Sequence, residues 1–94
     1  MKESFDIVWN KICKNGGNNF FTIKREAFTY KIEDNCFILL RPKKAPRVSK
    51  EYVELAYEQW PVKGPGAFSE NILAPSYLWG VFNDNRIINT EEKS

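Results

Sequence analysis

The sequence contains no histidine, only two cysteines and a single methionine among its 94 residues. Serine and cysteine hydrolases of the usual kind need an imidazole base, so the lack of histidine excludes that chemistry. Zinc sites draw four ligands from cysteine, histidine and carboxylates, which two scattered cysteines do not supply. No glycine-rich phosphate loop follows a predicted strand. We therefore expect a protein that is not an enzyme and that carries no cofactor.

Long apolar runs are also missing, and the N-terminal residues Met1 to Asp6 form no apolar signal segment. We expect a cytoplasmic protein without a membrane association. In that compartment Cys13 and Cys36, each among apolar neighbours, are expected to be reduced and buried. The chain has the size of one domain, 1–94, with an ordered core of about residues 4–88 and a solvated tail at 89–94.

Aromatic and aliphatic residues are plentiful and follow helical spacing in three places. The first predicted helix begins after Ser4, and the second begins after Ser49 and ends at Pro61. The third begins at Pro75 and contains Gly80, which costs about 1 kcal/mol relative to alanine inside a helix. A close approach of another element would explain this glycine. The apolar stripes consist of Phe5, Val8, Trp9, Ile12 and Cys13, of Val53, Ala56, Tyr57 and Trp60, and of Tyr77, Leu78, Val81 and Phe82.

Between the first two helices the apolar period changes to two, which predicts strands at residues 20–24, 28–32 and 36–40. Asp34 and Asn35 both tolerate positive φ and suit a tight hairpin between the second and third strands. The third strand is apolar on both faces, so we expect the C-terminal segment, or else a partner chain, to cover its second face. The predicted fold is α+β, in the order α-β-β-β-α-α, with a three-stranded antiparallel meander packed on helices.

Positive charge is concentrated in residues 41–50, here called the basic segment, which contains five of the fourteen basic residues and no acid. Subtracting these five charges from the formal net charge of +2 leaves −3 on the rest of the chain. We expect a stiff loop, because it contains two prolines, at the N-terminus of the second helix, where the helix dipole favours anions. The candidate residues for binding nucleic acid or another polyanion are Arg41, Lys43, Lys44, Arg47 and Lys50, with Lys24 and Arg25 as extensions.

Two observations qualify this hypothesis. The acidic residues Glu51, Glu54 and Glu58 cluster on the outer side of the second helix and would repel phosphate along its length. A basic loop can also be a solvated surface feature that aids solubility, or it can bind an acidic protein.

The order helix, meander, basic segment and helix is similar to that of double-stranded-RNA-binding domains, over about two thirds of the chain. In that family a Lys-Lys-x-Ala-Lys element opens the second helix and contacts phosphates. Residues 43–47, Lys-Lys-Ala-Pro-Arg, resemble this element in part. Pro46 departs from the pattern, because it disfavours a helix at this point, and the last thirty or so residues have no counterpart in the family.

A second function is a protein–protein interaction or inhibitor-type activity through exposed aromatic surface, with a homodimer as one form. Interfaces are anchored by large aromatic and apolar side chains. The residues not placed clearly in the predicted core are Phe20, Phe37, Leu55 and Trp79.

Overall fold

The computed structural model describes residues 3–40 and 47–88 and confirms the α+β class with an antiparallel meander. It adds a fourth strand and a short 3-10 helix to the elements predicted from the sequence. In chain order the elements are α1 (Phe5–Lys14), β1 (Asn19–Phe21), β2 (Ala27–Glu33), β3 (Cys36–Leu40), β4 (Arg47–Ser49), α2 (Lys50–Gln59), the 3-10 helix (Pro65–Ala67) and α3 (Pro75–Phe82).

The sheet has the order β1-β2-β3-β4, so each strand pairs with its neighbour in sequence. The hairpin between β2 and β3 turns at Asp34 and Asn35, whose φ angles are 52° and 56°. Two consecutive residues with positive φ form the tight turn that matches the twist of paired strands. The turn predicted from this Asp-Asn pair is therefore confirmed.

The sequence does not predict the fourth strand, because the basic segment indicates a loop at residues 47–49. Arg47 and Ser49 pair with Ile38 and Cys36, and the single apolar residue between them, Val48, is buried in the core. Three residues with one apolar side chain are too short to show alternation in sequence. The unpaired edge of β3 supplies the hydrogen-bonding partner that stabilises this strand.

One face of the sheet packs against the helices and forms the core. Tyr30 is completely buried and its ring lies 5.3 Å from that of Phe20 and 4.6 Å from that of Phe37, measured between centroids. The Tyr30 hydroxyl donates a 2.6 Å hydrogen bond to the carbonyl of Ile12 and so joins the sheet to α1. A similar bond, from the Tyr57 hydroxyl to the carbonyl of Glu3, joins α2 to the start of the chain.

Two of the four residues predicted for an interaction surface, Phe20 and Phe37, belong to the core instead. Phe20 and Phe37 are fully buried, because strand alternation places both on the helix side of the sheet. Leu55 and Trp79 are partly buried and pack against the core. The Trp79 indole Nε1 also donates a hydrogen bond to the Val62 carbonyl at 3.3 Å.

Gly80 explains how α3 packs against the edge of the sheet. A Cβ atom at this position would lie 2.3 Å from the carbonyl oxygen of Phe21 and 3.0 Å from Cε1 of Phe28. The close approach expected from a glycine inside a helix is therefore confirmed. It holds α3 directly on the backbone of β1.

Candidate nucleic-acid interface

The side of the sheet that faces away from the helices, here called the outer face, carries two of the chain's cations. The side chains of Lys31, Ile38 and Arg47 form one row across it, since Lys31 pairs with Ile38 and Ile38 with Arg47 in adjacent strands. Lys31 and Arg47 are exposed, whereas Ile38 is only 3% exposed although it lies outside the main core. Long basic side chains commonly lay their aliphatic stems over an apolar neighbour and keep the charge in water. The row therefore places two exposed cations on either side of an apolar residue.

The only acidic side chain adjacent to this row among the described residues is Glu33. Its carboxylate lies 3.0 Å from Lys31 Nζ, and both side chains are about half exposed. The hydrogen bond from Lys31 lowers the pKa of Glu33, and the positive charge of Arg47 acts in the same direction. An exposed pair of this kind contributes little to stability, so Lys31 can exchange Glu33 for another anion at small cost.

The turn between β1 and β2 places two further cations at one end of the sheet. In the loop, the Arg25 amide donates to the Thr22 carbonyl at 2.8 Å and the Thr22 amide donates to the Glu26 carbonyl at 3.0 Å. Arg25 has a φ of 66°, as expected for the last residue of a three-residue hairpin loop. The side chains of Lys24 and Arg25 form no hydrogen bond or ion pair with another described residue, so both charges can bind a ligand.

Strand direction brings this turn to the end of the sheet from which the basic segment leaves. Because successive strands are antiparallel, the β1–β2 turn and the β3–β4 connection lie at one end and the β2–β3 hairpin at the other. Residues 41–46 connect Leu40 to Arg47 at the first end. The candidate residues Arg41, Lys43 and Lys44 lie outside the described residues, but the residues that flank this segment, Leu40 and Arg47, are at the same end of the sheet as Lys24 and Arg25.

Lys50 belongs to a different surface from the rest of the basic segment. Its Nζ lies 5.9 Å from the centroid of the Trp9 ring on the helix side, while its backbone amide donates to the Asn35 carbonyl at 2.9 Å. The N-terminus of α2 therefore lies at the β2–β3 hairpin, about 10 Å from Arg47 along three residues of strand. The expectation of one basic loop directly at a helix N-terminus has to be corrected, because β4 separates the two.

Two exposed apolar residues beside Lys24 and Arg25 were missed in the sequence. Phe21 and Ile23 are 54% and 46% exposed. Phe20 and Phe21 are adjacent and chemically identical, so sequence alone does not show which ring is buried and which is exposed. The pattern even favours the wrong face, since Phe21 and Ile23 alternate with Thr22, which is the buried residue.

Cys13 and Cys36 are free thiols, but Cys13 is exposed and Cys36 is half-buried, in contrast to the burial expected for both. Cys13 lies at the margin of the α1 stripe, in its last turn. Partial burial of the sulfur raises the pKa of Cys13, and the charge of Lys50 opposes this only in part. The Cys13 thiol is therefore protonated at neutral pH and is a poor nucleophile.

Within residues 3–40 and 47–88 no three side chains of the types histidine, cysteine, aspartate and glutamate come together as a metal site. In the same part of the chain no helix has the length and apolar character needed to span a membrane. Comparison with protein-family models, with curated proteins and with solved structures gave no match to this chain.

Proposed function

We propose that this protein binds nucleic acid through the outer face of its sheet and the end of the sheet from which the basic segment leaves. The observation that supports the proposal is the separation between the exposed cations of the outer face and its end and the exposed glutamates of α2. Lys31 and Arg47 are exposed on the outer face, and Lys24 and Arg25 lie at its end. On the helix side, α2 exposes three glutamates instead: Glu51, Glu54 and Glu58.

This separation orients a polyanion. Phosphates are attracted to the outer face and repelled by the exposed side of α2, so the sheet rather than a helix would contact the nucleic acid. Three more cations, Arg41, Lys43 and Lys44, belong to the segment that connects β3 to β4 at the same end of the sheet. Contact of four or five of these residues with phosphate predicts a salt dependence with a slope of about −0.9 per phosphate on duplex and about −0.7 on single strands.

The test is fluorescence anisotropy with labelled single-stranded and duplex DNA and RNA at low and moderate salt. Replacing Arg47 by glutamine removes one charge and keeps much of the stem, so affinity should fall and the salt slope should decrease by about 1. The double variant Lys31→Gln/Arg47→Gln should lower the affinity and the salt slope further. The matched control is Lys14→Gln, which removes one exposed charge from α1 on the other side of the sheet.

The proposal fails if no nucleic acid binds at low salt, or if Lys14→Gln weakens binding as much as Arg47→Gln. Thermal melting of each variant separates loss of binding from loss of structure. A large fall in the melting temperature of Lys31→Gln or Arg47→Gln would show that these side chains stabilise the fold by covering Ile38. Replacement of Arg41, Lys43 and Lys44 by glutamine tests the attached segment in the same assay.

A second candidate function is self-association through apolar residues of the same region. Phe21, Ile23 and Leu40 are all about half exposed, and all three lie toward the end of the sheet that carries Lys24 and Arg25. Exposed apolar clusters of this kind are common at protein interfaces. Light scattering over a range of protein concentrations tests this candidate, and a monomer at the highest concentration would remove it.

A further inference from the structure

The exposed ring of Phe21 has no structural role in the core. It lies on the edge strand β1 and points away from Phe20, which fills the core at the neighbouring position. Its partner across the strand pair is Ala27, whose methyl group is too small to cover a phenyl ring. An aromatic ring about half exposed beside a basic turn suggests contact with a ligand rather than packing.

The backbone beneath this ring is held firmly from the other side. The Phe21 carbonyl oxygen lies against Gly80 of α3, where not even a Cβ would fit. Two residues earlier, the Asn19 carbonyl accepts a 2.6 Å hydrogen bond from the Arg86 guanidinium. Both contacts fix β1 against the helices, so the ring is presented from a rigid edge. A rigid platform loses little entropy when a flat group stacks on it.

The concave surface next to the ring is shared with an arginine that has no described partner. Phe21 and Arg25 together line a concavity of about 330 Å³ and a neighbouring one of about 360 Å³. Among the described residues, the only carboxylate on the wall of the larger concavity is that of Asp84, which lies 2.9 Å from Nε of Arg86. Its charge is therefore balanced, and Arg25 with nearby Lys24 leaves this region positive, with Glu26 as the only acid in the turn.

From this juxtaposition we infer that Phe21 and Arg25 form a single-strand-specific subsite, in which one unpaired base stacks on the Phe21 ring and its phosphate binds Arg25. This inference rests on the proposed nucleic-acid function and specifies its substrate class. A stacking ring beside a cation suits the alternating bases and phosphates of a single strand. In a duplex the base faces are covered by their neighbours, so the ring would have no partner.

Other occupants fit the surface less well. An acidic protein would use Lys24 and Arg25 but would not need an exposed phenyl ring. A purely apolar partner would use Phe21 and Ile23 but would have to desolvate two cations that have no ion-pair partner among the described residues. Only a ligand that alternates flat apolar groups with anions uses both features.

The test compares oligonucleotides that share their phosphates but differ in their bases. The probes are labelled oligothymidine and oligouridine of about twelve nucleotides, an abasic strand of the same length, a DNA duplex and poly-glutamate. Wild-type protein should bind the two base-containing single strands about fivefold to a hundredfold more tightly than the abasic strand. Comparison of the DNA and RNA strands shows whether the sugar matters.

The Phe21→Leu variant keeps an apolar side chain but removes the ring, so it should lose the preference for base-containing strands. Its affinity for every single strand should equal the affinity of the wild type for the abasic strand. The matched control is Leu73→Ala, at another exposed apolar position, which should change nothing. Arg25→Asn keeps a residue that tolerates positive φ and removes the charge. It should weaken binding to the abasic and base-containing strands alike, and it provides a second test if Phe21→Leu is poorly folded.

Three results would overturn the inference while the proposed function stands: equal binding of abasic and base-containing strands by the wild type, equal or tighter binding of duplex, and no effect of Phe21→Leu. Binding of poly-glutamate as tight as that of oligothymidine would show that charge alone is recognised and would also overturn it. Absence of binding to every nucleic acid at low salt would instead overturn the proposed function, and this inference with it.

Discussion

Replacing Gly80 by alanine should destabilise the protein, although helix propensity alone predicts the opposite. Inside a helix, alanine is better than glycine by about 1 kcal/mol. Here the new Cβ would lie 2.3 Å from the Phe21 carbonyl oxygen, more than 1 Å inside ordinary van der Waals contact. The obstructing atom is backbone and cannot rotate away, so α3 and β1 have to move apart.

Overpacking of this kind costs about 1–3 kcal/mol, and the cost should lie in the upper part of that range because two elements must shift. After the gain in helix propensity, we expect a net loss of about 1–2 kcal/mol in the free energy of unfolding. For a domain of this size that corresponds to a melting temperature lower by about 5–15 °C.

Thermal and urea denaturation, followed by circular dichroism, measure this change. The matched control is Gly66→Ala, because a Cβ there meets no atom within 4 Å and the residue does not have positive φ. We expect that control to be neutral or slightly stabilising. If Gly80→Ala were as stable as the wild type, the contact between α3 and the backbone of β1 would not be as close as described.

Three further variants test other features of the structure. Tyr30→Phe removes the hydrogen bond to the Ile12 carbonyl and should cost about 1–2 kcal/mol in urea denaturation. Burial raises the pKa of Tyr30 in the folded protein. The stability of the wild type should therefore be complete below the ordinary tyrosine pKa of about 10 and should decline as the pH rises above it. The Tyr30→Phe variant should show a smaller decline when melting temperatures are measured between neutral and alkaline pH. The Arg86 guanidinium bonds Asp84, donates to the Asn19 carbonyl of β1 and lies 4.2 Å from the centroid of the Phe20 ring. A lysine cannot make all three contacts, so Arg86→Lys should lower the free energy of unfolding by about 1–2 kcal/mol, as measured by thermal melting. Arg25→Gly should raise the free energy of unfolding by up to about 1 kcal/mol, since a φ of 66° suits glycine better than arginine. The same variant should bind nucleic acid more weakly in the anisotropy assay. If stability and affinity both rose or both fell, the result would contradict the subsite.

Local signals in the sequence were sufficient for most of the fold. Pro75 marks the first residue of α3, the residue after Ser49 begins α2, and the Asp34-Asn35 pair turns the β2–β3 hairpin, all as predicted. Each of these signals acts over a few residues: a fixed φ, a tolerance of positive φ, or the N-cap position, which Ser49 occupies without a capping hydrogen bond from its side chain. Such effects are encoded where they act, so they can be recognised without the tertiary structure.

What could not be predicted depends on residues far apart in sequence. β4 exists because β3 has an edge to pair with, and three residues cannot show that by themselves. The choice between Phe20 and Phe21 as the buried ring depends on which side of β1 the helices occupy. For the same reason Lys50 and Arg47, three residues apart in one basic segment, lie on opposite sides of the sheet. The candidate site therefore required strand register, which the sequence left open.

The pairing of every strand with its neighbour in sequence has a consequence for how the chain folds. All three strand pairings join segments close in sequence, so little loop-closure entropy is lost before the sheet forms. The contact of α3 with β1 and the contact of Tyr57 with Glu3 each join residues more than 50 positions apart, so we expect them to form after the sheet. We expect the meander to dominate the transition state, with φ-values near zero at Gly80 and Tyr57 and higher values in the β2–β3 hairpin. Variants of these late contacts should then change the unfolding rate far more than the folding rate.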